Sequence, residues 1–583
     1  MLAPEDDVLQ HESKGGVTNY TGIDGVQCFA DVAAYSAFDS HRTGSPSDAA
    51  TIDWLRDRLP SDFDVAEQPF IVKKYFDYAG CDLFIDGQGH ECFGVWLPNA
   101  TQVRHLRAAR GTTRLALSAR LAVVDVSSPS LGRHGAGKAI ETAIELGAAA
   151  VAVVNHLAEH RPTHVPPHAD WPLVALNAPA PYHQQPWPVP VAVVGSAAAA
   201  AMLRAGAIVD RLHVRGTCCT SRTARNLVAS LRVGAAAADT STKPVSWSPP
   251  QPPIRLIVST PTSGWFQCGG ERGVGVALWL QLARTLPALL ARARRDETAR
   301  RHARAVAVTS GEGREARPTP VPVPSVEVVL LGTTAHELGY GGAHAMIADV
   351  LVPRGFAPAH TQAWIALGAS IVTLSGLSTE TLDGELEEAL PSNDVGEMRR
   401  QPSAMSDTTT AGVVAANGEL AGAYHAVLDF TDASLAAALQ PLVTAGFHPL
   451  LNPPSRRGEL APIGAAGYRA FGFYGEHALF HTHADTPNST SPDLLERVAA
   501  PTLAAISTII NDALLADDAA TGRTAATTGV GILTVAAADE RRAIGSVLAP
   551  AMPLVVVLYA AVWLRPACTK RRRWTSTRSP ALL

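Results

Sequence analysis

Phe480-His481-Thr482-His483-Ala484-Asp485-Thr486-Pro487, read beside Thr334-Ala335-His336-Glu337-Leu338-Gly339 about 145 residues earlier, decides how this chain folds. Each stretch gathers imidazole and carboxylate groups within a few residues, and each is expected just after a strand. The His336-Glu337 pair does not open a helical His-Glu-x-x-His zinc motif, because the fourth residue on is Tyr340 and the next histidine is His344.

Working outward, strands and helices alternate. Ile254 to Ser259, Val326 to Leu331 and Ala363 to Leu374 read as buried strands, whereas Val274 to Leu290 and Pro492 to Leu515 carry helical spacing. This alternation predicts an α/β fold with a mainly parallel sheet covered on both faces. In such open sheets a site lies beyond the carboxyl ends of the strands, where these motifs stand. The Arg- and Pro-rich stretch from Arg292 to Pro324 is expected to be an exposed excursion.

The region 76–220 has its own pattern. Leu121 to Val126 is a β-rich run, Lys138 to Leu146 is helical in spacing, and Gly147 to Val154 returns to a strand, which makes a β-α-β arrangement. Upstream, His41-Arg42-Thr43-Gly44-Ser45-Pro46 precedes an amphipathic stretch through Trp54 and Leu55, with Ser45 placed as an N-cap and Pro46 as first helical residue.

Taken together, these motifs resemble the co-catalytic zinc exopeptidases, the metallopeptidase family of aminopeptidase Y, glutamate carboxypeptidase and the transferrin receptor. The resemblance implies a three-layer α/β/α zinc-exopeptidase-like sheet over roughly residues 30–515, with residues 76–220 forming an inserted, β-rich protease-associated domain. Ala224-Arg225-Asn226-Leu227-Val228-Ala229 resembles the strand that leads back from that insertion into the peptidase-like domain. The expected organisation is an N-terminal segment at 1–28, which carries no secretory signal; peptidase-like parts at 29–75 and 254–516; a strand and linker at 221–253; and a polar joint at 517–542.

The family's two-zinc site needs five protein ligands, one of them a bridging Asp, and a carboxylate base. The place of its first ligand, His-x-Asp, is here Ser259-Thr260-Pro261-Thr262-Ser263, with neither imidazole nor carboxylate. The bridging position falls on Glu271 in Gly269-Gly270-Glu271-Arg272-Gly273, one methylene longer than Asp and adjacent to Arg272, so a Glu271–Arg272 salt bridge at a helix start is the competing reading. The base position is His336, Glu337 matches a ligand, and the fifth ligand matches His481. The stretch Gln362 to Leu377, where the fourth ligand belongs, has no acidic residue.

Glu337, His481 and Glu271 are therefore the expected metal ligands, with zinc limited to at most one ion and His336 as the catalytic candidate. A single-metal site rebuilt from His336, His483, His344 and Glu476 is a further arrangement that suits zinc by residue type. Two functions remain open: a diverged aminopeptidase-like hydrolase, weakly active or inactive, or a non-catalytic member that binds a peptide or protein.

Composition agrees with a globular protein and excludes others. The 583 residues are 47% apolar and 17% charged, with a net charge of −5, so no basic bias points to nucleic acid. Seven cysteines show no CxxC pair and define no disulfide scaffold, and the three Asn-x-Ser/Thr sequons (Asn19, Asn99, Asn488) matter only in a secreted chain. Ala543 to Leu564 runs 22 residues without a charge and is long enough to cross a bilayer, with residues 565–583 as a basic tail. The surplus of Arg and Lys after it would place that tail in the cytoplasm and the body outside. The same segment also reads as an apolar terminus packed on a cytoplasmic protein.

Overall fold

A computed structural model describes residues 23–38, 40–95, 101–126, 136–155, 173, 175–176, 187–234, 252–311, 323–371, 426–453, 458–475 and 479–527. Glu476 and the proposed span 543–564 lie outside them.

The strands in chain order are β1 (Asp64–Ile85), β2 (Gln88–His90), β3 (Cys92–Gly94), β4 (Thr101–Leu106), β5 (Ala108–Ala109), β6 (Leu121–Val126), β7 (Ala150–Asn155), β8 (Val191–Val194), β9 (Val209–Val233), β10 (Ile254–Pro261), β11 (Val326–Thr333), β12 (Ala363–Leu367), β13 (Val427–Phe430), β14 (His448–Leu451) and β15 (Ala470–Tyr474). The large sheet runs β14-β13-β15-β12-β10-β11-β9-β1-β2, with β4 also on β9. Its centre is parallel, β11 with β10, β10 with β12 and β12 with β15, and antiparallel strands flank it.

Side-chain alternation explains why this sheet is covered on both faces. On β10, Ile254, Leu256 and Val258 join one apolar cluster while Ile257 joins another. On β12, Ala363, Ile365 and Leu367 face the first cluster, and Trp364 and Ala366 the second. The first cluster is completed by the helices Gly25–Ser36, Val274–Gly311 and Pro492–Thr527, the second by Met346, Leu351, Phe356 and Tyr468. The fold is thus α/β with helices on both faces, as the alternation predicted.

Three expectations are corrected here. The stretch from Arg292 to Gly311 is no loop excursion but the continuation of the helix Val274–Gly311. Its charge is absorbed inward: Glu297 and Arg301 are buried one turn apart, paired at 2.7 Å, and Arg301 Nη2 donates to the Leu514 carbonyl. The strand expected to run to Leu374 stops at Leu367. At the other end the first helix begins at Gly25, inside the segment assigned to the N-terminus, capped by the Asp24 carboxylate on the Gln27 N–H.

β1 and β9 pair antiparallel from Asp64–Ser230 to Ile85–Val209 and carry the chain from the large sheet into a second, five-stranded sheet ordered β3-β8-β7-β6-β5. The β6-helix-β7 unit, with its helix at Ala136–Glu145, sits in this second sheet. A disulfide, Cys81–Cys92, ties β1 to β3 and so joins the two sheets. The cysteine count gave no sign of it, because an eleven-residue separation matches no motif.

Among the described residues two helices, Gly269–Ala307 and Pro492–Ala516, are long and apolar enough to cross a membrane, and more than half of each apolar window is buried inside the protein.

Candidate functional site

Three loops at the carboxyl ends of β10, β11 and β15 meet around one buried guanidinium. After β10 the chain turns through Cys268, at φ 50°, into a π-helical turn, Gly269–Gly273, that continues as the helix Val274–Gly311. Asp485, after β15, caps this helix start: its carboxylate accepts from the Gly270 N–H at 2.7 Å and the Glu271 N–H at 2.9 Å, favourable at the positive end of a helix. The approach demands glycine at 269, where a Cβ would stand 2.3 Å from the Thr486 carbonyl carbon.

That turn drives Glu271 and Arg272 inward, both essentially inaccessible. Arg272 Nη2 lies 2.9 Å from Glu271 Oε1 and 3.1 Å from Glu337 Oε1, and its Nε donates to the Ser263 carbonyl at 3.0 Å. His481 Nε2 approaches Glu271 Oε1 at 3.2 Å, while its Nδ1 lies 3.0 Å from the Ala175 carbonyl. The Ala175 N–H in turn donates to the His481 carbonyl, so residue 175, from the chain between β7 and β8, latches onto the site. Burial pushes the Glu271 carboxyl up, but the charges of His481 and Arg272 outweigh it and hold the group well below the usual carboxylate range.

Hydroxyls stand where the first expected ligands are missing. Ser263 Oγ donates to Glu337 Oε2 at 2.7 Å and accepts from the His336 N–H. Thr260 and Thr262 bond the carbonyls of Leu367 and Thr333, and Ser259 accepts from the Trp364 indole. After β12, the Ser370 N–H donates to the Glu271 carbonyl, which brings a buried hydroxyl to the region of the absent fourth carboxylate.

The catalytic candidate, His336, adjoins this cluster through its N–H on Ser263 Oγ, and its ring lies beside Glu459. Its Nδ1 lies 3.7 Å from Glu459 Oε1 without an aligned hydrogen bond, and Glu459 accepts instead from the Thr333 hydroxyl. His483 is half exposed beside Glu91, so it does not join His336. The structure brings Glu271, Glu337 and His481 into one cluster and adds Ser263, Asp485 as a cap, Glu459 and the reach of Arg272 to Glu337, none of which the sequence pattern marks. A buried-arginine signal was available only in the Glu271–Arg272 neighbour pair.

Several residues around the cluster hold left-handed backbone without being glycine: Cys268, Ala335 (60°), Tyr340 (61°), Ser370 (52°) and His481 (60°). Each such residue costs about 1 kcal/mol or more, and such strain concentrates at sites whose geometry matters.

The cluster as arranged does not fit a zinc ion. Among the described residues no group of three His, Cys, Asp or Glu side chains stands ready to hold a metal. The place between Glu271, Glu337 and His481 is filled by a fixed positive charge on a covalent arm. The hollow beside Glu337, lined by Arg42, Thr43, Tyr75, Gly264, Trp265 and Leu338, has a cavity volume of about 10 Å³, room for about one water molecule.

No protein-family model matches the chain, and no curated protein sequence matches it. Solved structures do. A zinc aminopeptidase from Bacillus subtilis superposes with a TM-score of 0.51 at 13% identity, covering 83% of this chain and 94% of its own. An aminopeptidase from Aneurinibacillus sp. strain AM-1 gives 0.46 at 16% identity over 83% and 93%, and a peptidase M28 precursor from Shewanella amazonensis 0.49 at 14% over 82% and 92%. The chain has a zinc-exopeptidase-like fold; at these identities the likeness concerns the fold alone.

Proposed function

We propose that this chain is a diverged aminopeptidase-like protein that does not run two-zinc hydrolysis and uses the fold to engage a peptide or protein partner. The observation that supports it is the Arg272 guanidinium lodged between Glu271 and Glu337, where the resembled family would hold metal. A bound guanidinium neutralises carboxylates but cannot acidify a shared water, which is what the metals supply in this chemistry. The His336 ring stands beside Glu459, its Nδ1 3.7 Å from Oε1. The inserted second sheet, read from the sequence as a protease-associated domain, is the part of the chain assigned here to a partner.

The test is hydrolysis of aminoacyl chromogenic substrates by the purified protein, with and without added Zn²⁺, beside direct metal analysis. This reading expects no turnover above a His481→Ala control and substoichiometric zinc. Zinc-dependent turnover abolished in that control would restore the hydrolase.

We infer further that the folded body faces an oxidising compartment, anchored through residues 543–564. The Cys81–Cys92 bond supports this, since such bonds persist where thiols are not kept reduced. The basic tail after that segment points the same way. Maleimide labelling of denatured protein taken from its native cells, before and after reduction, checks it. Two extra thiols appearing only after reduction agree; free Cys81 and Cys92 in native material do not.

A further inference from the structure

We propose that the face of β1, β9 and β4 on which Arg104, Arg211 and Arg215 stand is a docking surface for an acidic, extended segment of a partner polypeptide. The inference rests on the reading under Proposed function, that the chain engages a peptide or protein, and gives that partner its charge and its place.

Strand register creates the face. Across β1, β9 and β4 the residues Leu83, Leu212 and Val103 stand in one row and pack into a single apolar cluster. The neighbouring rows, Phe84–Arg211–Arg104 and Asp82–His213–Gln102, therefore point the other way, since successive residues of a strand alternate faces. Arg215 lies on that same side, opposite Gly80. In a chain of net charge −5, three guanidiniums are thus gathered on one surface.

Their charge is not matched in place. Asp82 is shared, 3.4 Å from Arg215, 3.8 Å from His213 and 4.0 Å from Arg211. Among the described residues no carboxylate stands within ion-pair distance of Arg104. The Gln102 side-chain oxygen accepts from Arg104, which orients the guanidinium and leaves its charge. Arg104 and Arg211 face each other directly across the strands, and like charges so placed repel. An anion seated between them removes that cost.

The geometry favours a chain of carboxylates over one small anion. A hollow of about 440 Å³, within the usual range of ligand sites, is lined by Phe84, Gly87, Arg104, His105, Asp210 and Arg211. Arg211 is braced in it, its guanidinium 4.7 Å over the Phe84 ring, so less freedom is lost on binding. Asp210, the carboxylate of this lining, is engaged by the Gly87 N–H at 2.6 Å. Arg211 and Arg215 are separated along β9 by about 13 Å of strand, which one phosphate cannot bridge, whereas same-side carboxylates of an extended peptide recur every 7 Å or about that. Guanidinium forks take such carboxylates through paired hydrogen bonds.

The experiment uses the full-length protein with metal chelated and follows the fluorescence anisotropy of a labelled, alternating Glu-Ser dodecapeptide at low salt, beside a Gln-Ser peptide of equal length. Wild type is compared with Arg104→Gln, with Arg104→Gln/Arg211→Gln, and with Arg120→Gln, an exposed arginine outside the face. The expected result is that wild type binds the acidic peptide and not its neutral counterpart. Affinity falls about fivefold in Arg104→Gln and at least about twentyfold in the double variant, and is unchanged in Arg120→Gln. Added salt weakens the binding. Arg104 is exposed, so Arg104→Gln keeps the fold and decides the matter should the double variant not fold.

The proposal is overturned if wild type does not bind the acidic peptide, if it binds the neutral one as tightly, or if Arg104→Gln binds as wild type does. An equal loss in Arg120→Gln would reduce the effect to general attraction and overturn it too. So would displacement by inorganic phosphate at equal concentration, which would give the face to a free anion. Zinc-dependent hydrolysis would instead sink the reading under Proposed function while peptide capture by this face stayed measurable, so the two failures are distinct.

Discussion

Arg272 Nη2 donates to Glu337 Oε1 at 3.1 Å although the two residues stand 65 positions apart, and both are shut off from solvent. One side chain thereby joins the loop after β10 to the loop after β11, and through Glu271 and His481 to the loop after β15.

Replacing Arg272 by Met should be among the most destabilising single changes in this protein. It leaves Glu271 and Glu337 buried without their counter-charge, a loss of about 3–5 kcal/mol for a broken buried ion pair. Arg272→Lys keeps a charge but cannot fork to two carboxylates and the Ser263 carbonyl, so it should recover only part. Urea unfolding in the absence of metal ranks the three; equal midpoints for wild type and Arg272→Met would contradict the linkage.

His41 supplies a pH dependence. It is buried, stacked on Tyr35 at 3.7 Å, and bonded to the Thr51 hydroxyl, and burial lowers its pKa to about 3. The unfolded chain, with an ordinary histidine near 6.5, binds the proton more readily than the folded one. Stability from this group is therefore present above about pH 6.5 and is lost as pH falls toward 3, at about 1.4 kcal/mol per pH unit. In His41→Gln, the denaturation midpoint between pH 6 and 4 should fall less steeply than in wild type; identical slopes would remove His41 from the account.

Reduction should loosen the second sheet. Opening Cys81–Cys92 releases a short loop constraint worth about 2–3 kcal/mol. A Cys81→Ser/Cys92→Ser variant should show a lower thermal midpoint that no longer responds to reductant. A wild-type midpoint insensitive to reductant would show the bond to be unimportant to stability.

The latch at Ala175 predicts local behaviour. His481→Ala removes the ring that meets the Ala175 carbonyl, so hydrogen exchange in the peptide covering Leu173–Leu176 should quicken by roughly fivefold, for about 1 kcal/mol of lost bonding. Unchanged protection there would mean that apolar packing alone seats this segment.

What could be read from the sequence followed from local pattern. Ser45 and Pro46 do open the helix Pro46–Arg56, with Ser45 Oγ accepting from the Asp48 N–H, and the β10 and β11 runs alternate as buried strands must. Glu271, Glu337 and His481 follow β10, β11 and β15, so their loops emerge at the carboxyl ends of strands of one sheet. Arg272 bonding to Glu337, and Ser263 standing between Glu337 and His336, depend on contacts across 65 to 74 positions that no period reveals. The helix beyond Arg292 was hidden because its arginines looked solvated, while Glu297 and the Leu514 carbonyl draw one of them inside.

The most direct check of the whole account is a crystal structure of the wild-type protein grown with added Zn²⁺. The account predicts continuous guanidinium density between Glu271 and Glu337, with no anomalous zinc peak among those residues and His481. An ordered zinc ion bound by these three side chains, with Arg272 turned out of the cluster, would contradict it.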